Sequence, residues 1–362
     1  MILLTPGPVQ TRPDIRAAAA RDIAPWDNDF RPVYARIRER ILAIAGGIPG
    51  EHAVLPLQGA GHFLVEATLR SLVEPAGAIV VPVNGVYAQR VVKLARAAGR
   101  IAHEWVLPDT RGVTADDVRA MFTAHPDATH LGMVVSETGS GIINDPEVAG
   151  PVVRALGKRM FLDAVSAFGA LPFSMAEHPE CDALLFTSNK CFEGLPGMGF
   201  CVARLAALAP GRAGSWSFDL HDVWQHALTH GWGSIRFTPP VQAIAAFDAA
   251  LDAFDAEGGQ PARLARYSAN MRILSEGARA LGFAPYLDQA QQGPIILTLH
   301  QPPGFDLQGF VDALKARGVL ISNFYTTPTP TIRIGCIGAV TPDDMRHAVA
   351  MMREVMSARA AA

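Results

Sequence analysis

The 362-residue chain has only four cysteines, Cys181, Cys191, Cys201 and Cys336, and no two of them are spaced C-x-x-C. That scarcity excludes a disulfide framework and a thiolate zinc site, and the thiols are expected to be reduced and mostly buried. Excess positive charge is absent too: 31 Lys and Arg against 34 Asp and Glu leave a formal net charge of −3. With the basic residues scattered, no stripe is available for nucleic acid. No apolar run is long enough to span a bilayer. The opening MILLTPGP has no basic segment and breaks at Pro6, so no secretory leader is expected and the reading is a cytoplasmic protein. Repeats of solenoid period are missing, and the one low-complexity stretch is an Ala-rich C-terminal end, expected to fray.

What is present is an ordinary globular composition, 49% apolar and 18% charged, in a length that suits two domains. Apolar runs over 78–83 (AIVVPV), 131–135 (LGMVV), 160–162 (MFL) and 183–186 (ALLF) read as buried strands. Segments of helix length, such as 88–98 and 147–155, lie between them. This βαβ rhythm predicts an α/β fold with a mainly parallel sheet between helices. After Glu257-Gly258-Gly259-Gln260-Pro261 the texture changes. A helix over 262–281, the strand PIILTLH, a helix over 307–316, the strands GVLIS and TIRIG, and a last helix capped by Thr341 predict a smaller α+β domain. The expected division is a large domain over 1–255 and a small one over 256–362.

In parallel sheets ligands bind beyond the carboxyl ends of the strands, and polar residues collect there in this chain. VVSETGSG places Ser136, Glu137 and Thr138 past one strand, FLDAVSAFG places Asp163 and Ser166 past the next, and LLFTSNK places Ser188, Asn189 and Lys190 past a third. A fourth run, VLPLQGAGHFLVEATLRSL, turns through Gly59-Ala60-Gly61-His62 into a helical pattern. A glycine turn at a helix N-terminus presents free N–H groups to a phosphate, although its spacing is neither that of a dinucleotide fold nor that of a P-loop. Lys190 stands between an apolar strand and a loop with Gly194, Gly197 and Gly199. A buried ammonium is costly, so a lysine there is paired, snorkelling, or held with a lowered pKa for chemistry. An amine, a carboxylate for a pyridine nitrogen and a phosphate cradle together make a site for pyridoxal 5'-phosphate.

Five motifs point further: LLTPGPV, D-x-V-S-x-F-G from Asp163, S-N-K-C-x-x-G-x-P-G-x-G-F from Ser188, R-F-T-P-P from Arg236 and R-I-G-C-I-G from Arg333. Together they resemble the class V aminotransferases of fold type I, and among these most the 2-aminoethylphosphonate:pyruvate transaminase subgroup. WDNDF and the stretch from HGWGSIRFTPP to ARYSAN share that likeness. The resemblance implies a PLP-dependent transaminase with a seven-stranded-type sheet, amine and 2-oxo acid substrates, and a homodimer with shared sites. By position it implies that Lys190 is the Schiff-base lysine and proton carrier, and that Asp163 pairs with the ring nitrogen. Tyr87 would stack on the ring and Thr138 would meet its hydroxyl region. Gly59, Ala60, Gly61, His62, Ser166, Ser188 and Asn189 would complete the cofactor shell. Thr238 would reach the phosphate from the neighbouring subunit, and Arg333 would take the substrate's anionic group.

The chain departs from the subgroup in three places. Ala60 and His62 stand where it usually has serine or threonine, as in the alanine:glyoxylate transaminases. Ser322-Asn323-Phe324-Tyr325 replaces Y-P-G-K, and the threonine run after Glu137 is Thr138-Gly139-Ser140. Alternatives are therefore an alanine/serine:glyoxylate-type transaminase, a lyase acting on a related aminophosphonate, or a non-catalytic binding protein. His226 and His230 read as solvent-facing or subunit-contact residues and no metal is expected, while Cys191 reads as a packed thiol. The arginines between Arg31 and Arg40 read as a solvated helix face.

Overall fold

The structure is a computed structural model and describes residues 1–360. In chain order its strands are β1 (Ile2–Leu4), β2 (His52–Gln58), β3 (Ala78–Val83), β4 (Ile101–Val106), β5 (Ala128–Val134), β6 (Arg159–Asp163), β7 (Cys181–Thr187), β8 (Met198–Arg204), β9 (Ile296–His300), β10 (Val319–Ile321) and β11 (Thr331–Gly335). The helices are α1 (Pro13–Ala18), α2 (Phe30–Ile44), α3 (Gly61–Leu72), α4 (Val86–Ala97), α5 (Ala115–Ala124), α6 (Pro146–Ala155), α7 (Leu220–His230), α8 (Val241–Glu257), α9 (Gly259–Ala280), α10 (Leu307–Lys315) and α11 (Pro342–Ala360). The expected fraying of the last two alanines falls outside the described residues.

Seven strands form one sheet in the order β2-β8-β7-β6-β5-β3-β4, parallel except for β8, which runs antiparallel to both of its neighbours. The α/β expectation therefore holds. Side chains of β7 alternate between two cores, as period 2 requires: Leu184 and Phe186 join Phe192, Phe200 and Phe247 on one face, while Leu185 joins Leu55, Val81 and Ala88 on the other. Register carries the consequence for function. Val134 of β5 lies opposite Asp163 of β6, and Asp163 lies opposite Leu185 of β7. The three polar strand ends read from the sequence are thus neighbours on one edge.

A third core gathers Leu4, Leu299, Phe310, Ile332 and Met345. Here β9 and β11 pair antiparallel, and β1 pairs parallel with β10, Leu4 opposite Ile321. The N-terminal arm of the expected 1–255 unit thus places its first strand in the core built by residues beyond 255. The expected helix over 262–281 begins earlier, at Gly259, because Gly258 and Gly259 turn the chain out of α8 with φ of +111° and +72°. Among the described residues no helix is long and apolar enough to cross a membrane, and all four cysteines are buried and free.

Candidate active site

Beyond the carboxyl ends of β2, β5, β6 and β7 lies a cavity of about 310 Å³, lined among others by Gly7, Ala60, His62, Tyr87, Asp163 and Lys190. Gly61, Thr138, Ser166 and Asn189 line it too. Four candidate residues do not, and one of them is Gly59, whose N–H donates to Gly197 O at 2.9 Å. Ser188 is fully buried and its hydroxyl donates to Leu195 O at 2.6 Å, so it shapes the loop after β7. Thr238 is exposed beside a different cavity, its carbonyl accepting from Gln58 Nε2 at 2.7 Å. Arg333 lies on β11 with its Nη1 donating to the carbonyl of Thr138 at 2.9 Å and its guanidinium 4.6 Å from the Phe324 ring. It is 1% exposed, and no carboxylate pairs with it among the described residues.

Lys190 Nζ donates to the carbonyl of Pro6 at 2.9 Å. Burial pulls its pKa down to about 8, and the positive charge of Arg333 pushes the same way against the opposing pull of Cys191 and Asp163. A fraction of the amine is therefore neutral near pH 7. The N-terminal arm reaches Lys190 only because residue 7 is glycine: its φ is +144°, and a Cβ built there would lie 1.9 Å from Nζ. Gly7→Ala is expected to weaken pyridoxal phosphate binding roughly fivefold to a hundredfold, the range that 1–3 kcal/mol of local strain would produce. Titration followed by cofactor absorbance checks this, and unchanged affinity would contradict the crowding.

Asp163 ends β6, and its Oδ1 accepts from the Val165 N–H at 3.1 Å. Burial pushes its pKa up to about 6, against that N–H and the charges of Arg90 and Lys190. Glu137, read from the sequence only as a strand-end polar residue, does something more specific. Helix α4 begins after Gly85, which has no side chain to cap it. Glu137 takes over by accepting from Ala88 N at 2.6 Å and Tyr87 N at 3.2 Å. Burial raises its pKa to about 7 against these two N–H groups. The contact fixes Tyr87 at the cavity, and Arg90 follows one turn later with its guanidinium 4.9 Å from the Tyr87 ring.

The residues present fit pyridoxal phosphate. Ala60 precedes α3 without offering a side-chain oxygen, and although the Phe63 N–H donates to Ala60 O at 3.0 Å, the Gly61 and His62 N–H groups remain available to an anion. Ser136 Oγ and Thr187 Oγ1 also line the cavity, buried and without a hydrogen-bond partner among the described residues. Together with the Lys190 amine and the Asp163 carboxyl, they form a donor set for an aldehyde, a ring nitrogen and a phosphate. Sequence reasoning missed Gly7, Arg90 and Thr187. Gly7 lies within the LLTPGPV motif and Thr187 is the last residue of β7 before the S-N-K motif, while Arg90 left no local signal.

The family model described as Aminotransferase class-V matches residues 13–323. The chain is 42% identical over 359 residues to the 2-aminoethylphosphonate--pyruvate transaminase of Burkholderia ambifaria (strain MC40-6), covering 98% of this chain and 95% of that protein. It is 42% identical over 360 residues to the enzyme of the same name from Pseudomonas fluorescens (strain Pf0-1), covering 98% and 96%. Among solved structures, pyridoxamine-pyruvate aminotransferase from Mesorhizobium loti superposes with a TM-score of 0.89 at 25% identity, covering 99% of this chain and 92% of that one.

Proposed function

The chain belongs to the class-V aminotransferases, and on that premise we propose that it moves the amino group of 2-aminoethylphosphonate to pyruvate, giving phosphonoacetaldehyde and alanine. It is a pyridoxal-phosphate-dependent transaminase of fold type I. When bound, the cofactor supplies an aldehyde for the donor's amine and a ring that draws electrons from the adjacent carbon. The protein's residues supply the rest. N–H groups at the start of α3 would hold the phosphate, and Asp163 would keep a proton on the ring nitrogen. Tyr87, anchored through Glu137, lines the cavity where its ring could stack on that of the cofactor. Lys190, once released from the Pro6 carbonyl, carries a proton to and from the reacting carbon as a lowered-pKa amine.

The observation that carries the substrate reading is Arg333, a guanidinium buried without a carboxylate partner among the described residues and bonded to the cavity-lining Thr138. A guanidinium fork suits a phosphonate in one half-reaction and a carboxylate in the other. Against this, the segment Ser322-Asn323-Phe324-Tyr325 offers no cation, and one charge-assisted contact is worth about 1.5–3 kcal/mol, or about tenfold to a hundredfold in affinity. Ranking kcat/KM for 2-aminoethylphosphonate, alanine, serine and taurine, with pyruvate or glyoxylate as acceptor, tests the reading. The phosphonate is expected to lead, and a preference of more than tenfold for another donor would overturn the substrate while leaving the transaminase.

The proposal includes a homodimer in which Thr238 reaches the neighbouring subunit's cofactor phosphate. Supporting it, Thr238 is exposed in a region that also exposes Trp26, Trp216 and Phe237, at 78%, 70% and 49%. Exposed aromatics so close together mark an interaction surface. Mixing Lys190→Ala with Thr238→Ala subunits should then restore activity, because hybrids contain one intact site. No recovery, with subunit exchange shown independently, would count against sharing.

A further inference from the structure

A second cavity, of about 200 Å³, lies among α2, β2, α7 and residues 234–237, and shares no lining residue with the cofactor cavity. Its polar lining is mostly donors: Tyr34 and Arg38 from α2, His226 from α7, and Arg236. Arg38 is 4% exposed. Its Nη1 donates to Trp232 O at 3.2 Å, and its guanidinium lies 4.3 Å from the Trp232 ring. Its Nε and Nη2 have no hydrogen-bond partner among the described residues, and the same holds for Tyr34 Oη, His226 Nε2 and Arg236 Nε. Arg236 is neutralised by Asp222. Arg38 has no carboxylate partner, and burial pulls its pKa down to about 10.

A buried guanidinium without a counter-charge is strongly unfavourable, and several orphaned donors around one cavity add to that cost. Burial lowers the pKa of His226, and the nearby His230, Arg236 and Arg38 lower it further against the opposing pull of the Asp222 carboxylate. A single anion with several acceptor oxygens would offset these deficits together. We propose that this cavity binds a tetrahedral oxyanion of the phosphate class, held by Arg38 and Tyr34 from one side and by His226 and Arg236 from the other. Bound there, the anion ties α2 and α7 to the segment that leads into Thr238. It is a site separate from the cofactor's own phosphate cradle, and it does not depend on which amine the enzyme uses.

The test uses holoenzyme saturated with pyridoxal phosphate, so that the start of α3 is already filled. Calorimetric titration at constant ionic strength compares inorganic phosphate, methylphosphonate and acetate. One phosphate per chain that Arg333→Met does not remove is expected, with methylphosphonate binding and acetate markedly weaker. Arg38→Met should raise the phosphate Kd at least about tenfold, the effect of losing a charge-assisted contact. Tyr34→Phe keeps the ring in its core position and should raise the Kd a few-fold, which keeps the test valid if the arginine variant folds poorly. Absence of saturable phosphate binding, equal Kd values in wild type and both variants, or acetate binding as tightly as phosphate would each overturn the proposal.

Discussion

Lys190→Ala is expected to lower transamination by at least about 10⁴-fold, the upper end of what a positioned acid–base group contributes. Lys190 is the one lysine among the cavity-lining residues: Arg90 carries a guanidinium, and His62 sits on α3 beside Phe63. Helix α3 and Asp163 remain in the variant, so noncovalent cofactor binding should persist. The structure adds a pH signature to this prediction. In wild-type apoprotein the Lys190 pKa is lowered to about 8, mainly by burial. Cofactor capture should therefore quicken as pH rises toward 8 and level off above it, because only the neutral amine attacks. Stopped-flow absorbance reads that profile, and capture independent of pH between 6 and 8 would argue that another group does the work.

Asp163→Asn is expected to cost roughly 10²–10³-fold in kcat, comparable to losing one preorganised electrostatic contact at a reacting centre. The substitution keeps the volume and an oxygen for the Val165 N–H, so β6 and its turn should survive. What disappears is the negative charge that keeps a proton on the ring nitrogen. Because Asp163 already has its pKa raised to about 6 by burial, its charge depends on groups it faces, and Arg90 and Lys190 are the two cations that favour it. A kcat within threefold of wild type would refute the pairing. A fall in thermal stability matching the fall in activity would instead mark Asp163 as structural.

Much of this site could be read before any coordinates, for a physical reason. Lys190, Asp163 and Thr138 stand just past buried strands, and a parallel sheet brings such ends to one edge. Strands β3 and β7 were legible as uninterrupted apolar runs. β4, IAHEWV, was not, because polar residues break up its short sequence. The antiparallel β8 gave no sign of its direction, which depends on the loop after Lys190 folding back. Long-range contacts were invisible for the same reason. Nothing local to MILL reveals that Leu4 packs with Ile321, nor that Gly7 must leave room for Lys190. Glu137 read only as a strand-end polar residue, and only its approach to an uncapped helix shows that it holds Tyr87 in place. R-I-G-C-I-G singled out Arg333, yet the motif did not tell that the guanidinium sits behind the cavity wall, bonded to the carbonyl of the cavity-lining Thr138.

The central claim is that this chain transfers an amino group in two separable halves, with 2-aminoethylphosphonate as donor. The most direct test incubates cofactor-loaded enzyme with that amine and no 2-oxo acid, then adds pyruvate. The account predicts one equivalent of phosphonoacetaldehyde per chain, no further product until pyruvate arrives, and then one equivalent of alanine. Continuous release of ammonia without any 2-oxo acid, or no aldehyde at all, would contradict it.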